Sequence, residues 1–154
     1  MERPGPSPAQ RHKARHYAMQ ALYQWHMSKL GPRDIARQFR EEYDMTHVDT
    51  DYFEELLQSI SRQADELDAA FADFLQDRSL DEVDPVTRAL LRMGSYELLR
   101  RIDIPYQVVI SEAVSLAKKF GATDSHKFVN GVLDRMAAKH RTVEVKAKNG
   151  ARRI

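Results

Sequence analysis

The chain contains no cysteine. That excludes disulfides and thiolate chemistry, and it agrees with a reducing, cytoplasmic setting. There is also no apolar run of the about 18 residues that a membrane span needs. The opening residues, MERPGPSPAQRHKARH, have no apolar core like that of a secretory signal, which argues against export. The expectation is a cytoplasmic protein with no membrane association. No stretch reads better as a strand than as a helix. Val143 to Lys146 alternates, but it is too short and isolated to make a stable sheet.

The sequence is equally poor in catalytic patterns. His12 and His16 have the i, i+4 spacing of metal ligands, yet no carboxylate or third histidine stands near them in sequence, so no metal is expected. The nearest glycine-bearing stretch, Phe128-Val129-Asn130-Gly131, falls inside a helical pattern and cannot cradle a phosphate as a glycine-rich loop does. Glu41 and Glu42, like Glu54 and Glu55, are helix neighbours that face different directions, unlike an opposed acid–base pair. Ser125 and His126 diverge around a helix, so with Ser111 they do not make a triad. The expectation is a protein that is not an enzyme and needs no cofactor.

What the chain has in quantity is charge, unevenly placed. Its 154 residues suit one domain with two subdomains sharing a core, at 42% hydrophobic and 31% charged content. The net charge of +1 hides three blocks. Residues 1–40 hold 8 Lys and Arg against 2 Asp and Glu; residues 41–84 hold 2 against 15; residues 85–154 hold 14 against 6. Basic ends around an acidic middle suit one surface for a polyanion and another for a basic protein, although charge blocks are also ordinary solvated helix faces.

Helical punctuation is clear. Ser7-Pro8-Ala9-Gln10 combines a cap, a proline at the first helical position and a glutamine three after the cap. A helix from there to about Ser28 has a core stripe of Ala14, Ala18, Ala21, Leu22 and Trp25. Arg11 and Arg15 lie near one margin of that stripe, and His12, His16 and Tyr23 point outward. Cations in a first turn oppose the helix dipole, so they do not serve helix formation; they suit phosphates, as an exposed ring suits a base. Gly31-Pro32 breaks the chain. A second helix follows over about Arg33–Tyr43, and a long third over about Asp51–Gln76, with one short turn at Ser79–Val83. Asp84-Pro85 opens a helix that is apolar over a wide face, where Gly94 points to close helix–helix contact. Pro105 opens the next.

Residues Ser111 to Met136 read as two helices hinged at Gly121. Gly121 fits a left-handed helix end, and Thr123 or Asp124 fits the cap of the next helix. Val129, Val132, Leu133 and Met136 form that helix's buried stripe. Phe128 falls roughly 90° to one side of it, sharing an edge with Asp124 and Gly131. A ring, an acceptor and a bare backbone could stack a base and read its edge. The plainer alternative is that Phe128 is core and Asp124 a cap. After Arg141 the tail shows no helical stripe. The whole is all-α: two packed helical subdomains with about six to seven helices, over about 7–77 and 78–141, between a disordered 1–6 and a basic, disordered 142–154.

Four stretches, ARHYAMQALYQW at 14–25, LLRMGSYELL at 90–99, IPYQVVISEAVSLAKKFG at 104–121 and DSHKFVNGVLD at 124–134, resemble the NusB family of bacterial transcription antitermination factors. The resemblance covers nearly the whole chain, failing at the termini and loosening around 29–50. It implies an all-helical fold without enzymatic activity. It also implies binding of the boxA element of nascent ribosomal-operon RNA with the ribosomal protein NusE, and entry into a complex of other Nus factors on RNA polymerase. By motif, the RNA-binding candidates are Arg11, His12, Lys13, Arg15, Tyr23, Asp124 and Phe128; the nearby cations Lys118 and Lys127 are candidates with them. His12 stands where the family often has arginine, so one phosphate contact is expected to be weaker or pH-dependent. NusE is expected on a separate surface, the acidic middle with the exposed part of the helix after Pro85: Asp81, Glu82, Arg88 and Arg92. Two alternatives stand beside this reading. One is a helical protein-interaction adaptor that does not bind RNA. The other is the N-terminal part of a ribosomal RNA cytosine methyltransferase, for which 154 residues leave no cofactor domain.

Overall fold

The computed structural model describes the backbone of residues 5–152 and the side chains of residues 5–150. Of the stretch expected to be loose, residues 1–4 lie outside the described residues, while Gly5 and Pro6 are exposed and without regular structure. Among the described residues there are eight α-helices, one 3₁₀ turn and no strand. The chain divides into two compact units between Gln63 and Ala64.

The first unit comprises α1 (Pro8–Met27), α2 (Pro32–Glu42) and α3 (Thr50–Arg62). The Ser7–Gln10 capping box forms as the sequence suggests, with Gln10 N–H donating to Ser7 Oγ at 3.1 Å and Ser7 N–H to Gln10 Oε1 at 2.8 Å. Ala14, Ala18 and Ala21 are fully buried, and so are Phe53, Leu56, Leu57 and Ile60 of α3, on which α1 packs. Small residues on α1 let large α3 side chains fill the seam. Trp25, expected in the core, is only half-buried. From α2, Phe39 meets Phe53 at 5.9 Å between ring centres. Asp49 caps α3 by accepting from Tyr52 N–H at 3.1 Å.

The second unit comprises α4 (Ala64–Ala72), a turn at Leu80–Glu82, α5 (Pro85–Arg100), α6 (Tyr106–Phe120), α7 (Ser125–His140) and α8 (Thr142–Arg152). The long helix expected over Asp51–Gln76 is two helices, since Gln63 leaves helical geometry at φ −104°, ψ 16°. The boundary expected at 77/78 therefore falls at 63/64. Asp84 caps α5 through Thr87 N–H at 3.1 Å, with Pro85 at the first helical position. Ala89 to Leu98 are all buried, and α4, α6 and α7 pack around this helix. Gly94 permits that: a Cβ there would lie 2.7 Å from both Leu133 methyls of α7. Two polar features hold the bundle. Asp68 of α4 accepts from Arg92 Nε at 2.8 Å and Nη2 at 2.7 Å, and from Arg88 Nη2 at 2.8 Å. Arg141 donates to the carbonyl oxygens of Glu97, Leu98, Arg101 and Ile104, satisfying the end of α5.

The tail after Arg141, expected to be disordered, carries α8 through Arg152. Its anchor is Glu144, which accepts from Arg141 Nη1 at 2.7 Å and from the free Tyr106 N–H at the start of α6 at 3.0 Å. Residues 153–154 lie outside the described residues. Among the described residues, no helix is long and apolar enough to cross a membrane.

Candidate nucleic-acid interface

In the first unit, the candidates are the basic start of α1 and Tyr23. Lys13 is exposed, His12 half-buried, and Tyr23 39% exposed on the outward face. The two arginines behave differently from a free cationic cluster. Arg11 lies 3.7 Å from the Asp49 carboxylate and its guanidinium sits 4.6 Å from the centre of the Tyr52 ring. Arg15, one turn on, packs on the same ring at 5.4 Å and is only 3% exposed. The expected phosphate contact by Arg15 is thus corrected. At i, i+4 the two side chains share one face of α1, and the aromatic ring of α3 draws that face inward.

In the second unit the turn between α6 and α7 carries the key geometry. Gly121 does not take the left-handed conformation expected of it; its φ is −86°. Its lack of a Cβ matters for space instead, because a Cβ would collide with Ser125 Oγ and lie 2.7 Å from the Ala117 carbonyl oxygen. The left-handed residue is Asp124, with φ 66°, at the N-cap of α7. Asp is among the few side-chain-bearing residues that tolerate this region, at a cost of about 1–2 kcal/mol. Of the two expected caps, Thr123 and Asp124, the N-cap position falls to Asp124, whose side chain accepts no cap hydrogen bond. Its carboxylate is 67% exposed and lies 3.3 Å from Lys127 Nζ. The turn holds an acceptor out to solvent at the head of a helix, where it can meet the donor edge of a base.

One turn further, Phe128 is half-buried, so its ring is neither core nor free. The guanidinium of Arg78, from the loop between α4 and α5, lies over that ring at 4.3 Å. Gly131, read as bare backbone, is covered: a Cβ there would meet Arg135 Nη1 at 3.2 Å. Arg135 in turn donates through Nε and Nη2 to the Phe74 carbonyl oxygen. Arg78, Phe128, Gly131 and Arg135 line a cleft of about 330 Å³, and Lys127 is also in its lining. Lys127 also lines a second, open groove of about 830 Å³ along α6 and α7, where Lys118, Lys119 and His126 join it. Lys118, Lys127 and Phe128 are therefore linked through neighbouring concave surfaces. Asp134 faces the same groove; burial pushes its carboxyl above the ordinary value, against the opposing pull of Arg135.

Sequence reasoning missed Arg78 and Arg135. Arg78 had a signal, as one of only two cations in a block with 15 acids. Of the residues expected to meet a protein partner, Asp81 and Glu82 are exposed and Arg88 is partly so. Arg92 is 5% exposed and held by Asp68 at the α4–α5 seam, so the expected surface contact by Arg92 is corrected to a buried ion pair. Among the described residues, no group of three or more His, Asp or Glu could hold a metal ion.

An all-helical chain with an aromatic–acid strip and flanking lysines on α6 and α7 has the makings of a single-stranded nucleic-acid binder. Comparison with known proteins gives the family. The NusB family matches residues 12–138, and the chain belongs to it. A transcription antitermination protein NusB of Saccharophagus degradans is 51% identical over 146 residues, covering 95% of this chain and 97% of that one. Among solved structures, a T. maritima NusB superposes with a TM-score of 0.70 at 33% identity, covering 91% of this chain and 94% of that one. A chain in the crystal structure of "a plectonemic RNA supercoil" superposes with a TM-score of 0.76 at 28% identity, covering 85% and 96%.

Proposed function

We propose that this protein works as a transcription antitermination factor by binding alone, without chemistry of its own. It holds the boxA element of nascent ribosomal-operon RNA together with NusE, and through that complex it joins the other Nus factors on RNA polymerase. The observation that carries this reading is the exposed Asp124 carboxylate, held by a left-handed residue one helical turn from the half-open Phe128 ring. The acceptor selects a base edge and the aromatic supplies stacking. Lys118 and Lys127 neutralise phosphates beside it, and Lys13, with Arg11, does so from the first unit, where His12 adds a hydrogen-bonding group. Tyr23 offers a second ring. NusE takes a separate surface that includes Asp81 and Glu82, with Arg88 at its margin. Binding of either partner then strengthens the other by the same factor.

The test is binding to a boxA RNA and to a scrambled RNA of equal length, with and without NusE, at two salt concentrations. A boxA preference that grows with NusE is expected, on a background that weakens with salt. Equal, strongly salt-sensitive binding to both RNAs would reduce the surface to a non-specific one and leave a protein-interaction adaptor as the better description.

A further inference from the structure

We propose that Arg78 is an RNA-binding residue, and that the surface on which a base stacks is its guanidinium laid on Phe128 rather than the bare ring. The proposal rests on the boxA reading above and names a residue that reading does not contain.

The guanidinium centre is 4.3 Å from the Phe128 ring centre, within the range of a cation–π contact. The ring face beneath Arg78 is therefore already taken, and a base arriving there meets the arginine first. Arg78 itself is exposed, so its other side faces solvent. Guanidinium planes stack on aromatic rings and on bases alike, and unpaired RNA bases are held on either kind of plane. A ring–guanidinium–base stack uses both properties, while its charge favours the adjoining phosphates.

This placement of Arg78 is built in. On its N-terminal side, Gln76 is left-handed at φ 61°, turning the chain after α4. Just before it, the Phe74 carbonyl receives both Nε and Nη2 of Arg135, at 3.2 and 2.7 Å, which fastens the loop to α7. Gly131 leaves the space along α7 in which the Arg135 guanidinium lies. On its C-terminal side, Ser79 and Glu82 form a capping box. Arg78 is held between two anchors that fix its backbone beside Phe128. Gln76, Arg78, Phe128, Gly131 and Arg135 all line the same cleft. The single cation of this loop thus extends the aromatic strip of α7 with a residue from another part of the unit.

Arg78→Lys and Arg78→Ala separate the plane from the charge. Arg78 is exposed and outside the core, so both variants should fold, checked by circular dichroism melting. Binding of a fluorescent boxA RNA, with NusE present, is measured at several salt concentrations. Both variants should bind about 5- to 150-fold more weakly than the unmodified protein, the range for loss of one stacked base. Arg78→Lys should keep the unmodified salt slope, because its charge is intact, whereas Arg78→Ala should lose about one unit of it. Unmodified affinity in Arg78→Lys would refute the stack and leave a simple charge contact. Tighter binding by Arg78→Ala would also refute it, showing that the arginine covers the ring. If the unmodified protein shows no boxA preference, the functional reading fails and takes this inference with it; a boxA preference in the unmodified protein, with boxA affinity unchanged by both substitutions, defeats the inference alone.

Discussion

Asp68→Ala tests how the second unit holds its central helix. The Asp68 side chain is 3% exposed and the Arg92 side chain 6%, with Arg88 at 19% as the outer member of the cluster. Truncating Asp68 removes three charge-assisted hydrogen bonds and leaves a buried guanidinium without its counter-charge. Breaking such a pair costs about 3–5 kcal/mol. For a chain of this size that corresponds to a fall of about 6–20 °C in Tm. Replacing both partners, as Asp68→Leu with Arg92→Met, should recover most of the loss, because the cost lies in the stranded charge. Acid unfolding supplies a second readout. Burial raises the Asp68 carboxyl, but the hydrogen bonds and charges of Arg92 and Arg88 outweigh it and hold the group below its ordinary 3.8. A folded-state value below the unfolded one means the unfolded chain takes up the proton first. The contribution is therefore complete above that range and is lost as the pH falls below 3.8 through the folded value. Urea titrations at neutral and acid pH measure both effects. A loss under about 1 kcal/mol, or an acid limb in Asp68→Ala as steep as in the unmodified protein, would refute the reasoning.

Three further outcomes are expected. Phe128→Ala should weaken boxA binding by about 1–3 kcal/mol in fluorescence anisotropy, and unchanged affinity in a folded variant would remove the ring from the interface. Asp124→Gly should leave stability unchanged or raise it by up to about 1 kcal/mol, because glycine adopts the left-handed turn without a Cβ, while narrowing the difference in affinity between boxA and scrambled RNA; a clear drop in melting temperature would contradict this. Arg141→Lys should cost at least about 3 kcal/mol in urea melts, since one ammonium cannot serve four carbonyls and Glu144, and a smaller loss would mean that water satisfies the end of α5.

Caps and stripes made much of the fold legible. Ser7-Pro8, Asp84-Pro85 and Pro105 each open a helix where the sequence places one. The break at Gln63 was hidden because Leu56, Ile60, Ala64, Leu67 and Phe71 keep helical spacing across it, and no proline or glycine interrupts residues 51–76. Periodicity records which faces are buried, and one non-helical residue can leave that record intact. The helix α8 was hidden for the opposite reason: it has no apolar stripe, and its anchor is the polar contact of Glu144 with Arg141 and Tyr106. In the candidate site, the strip from Asp124 to Phe128 was readable because both residues belong to one turn and helical geometry fixes their relation. Arg78 was not, because its partner lies 50 positions away and only the folded loop brings them together. Arg15 and Arg92 show the limit of reading charge as surface. A guanidinium can enter a core when a ring or a carboxylate receives it, as Tyr52 and Asp68 do.

The enclosure of α5 restricts how anything can be gripped. With Ala89 to Leu98 all buried, this helix has no free side to lend to another molecule along its middle. A partner looking for purchase on it finds only its two tips: the entry around Asp81, Glu82 and Arg88, and the exit at Arg100 and Ile102. The centre of the bundle acts as an axle, and attachment belongs at the hubs.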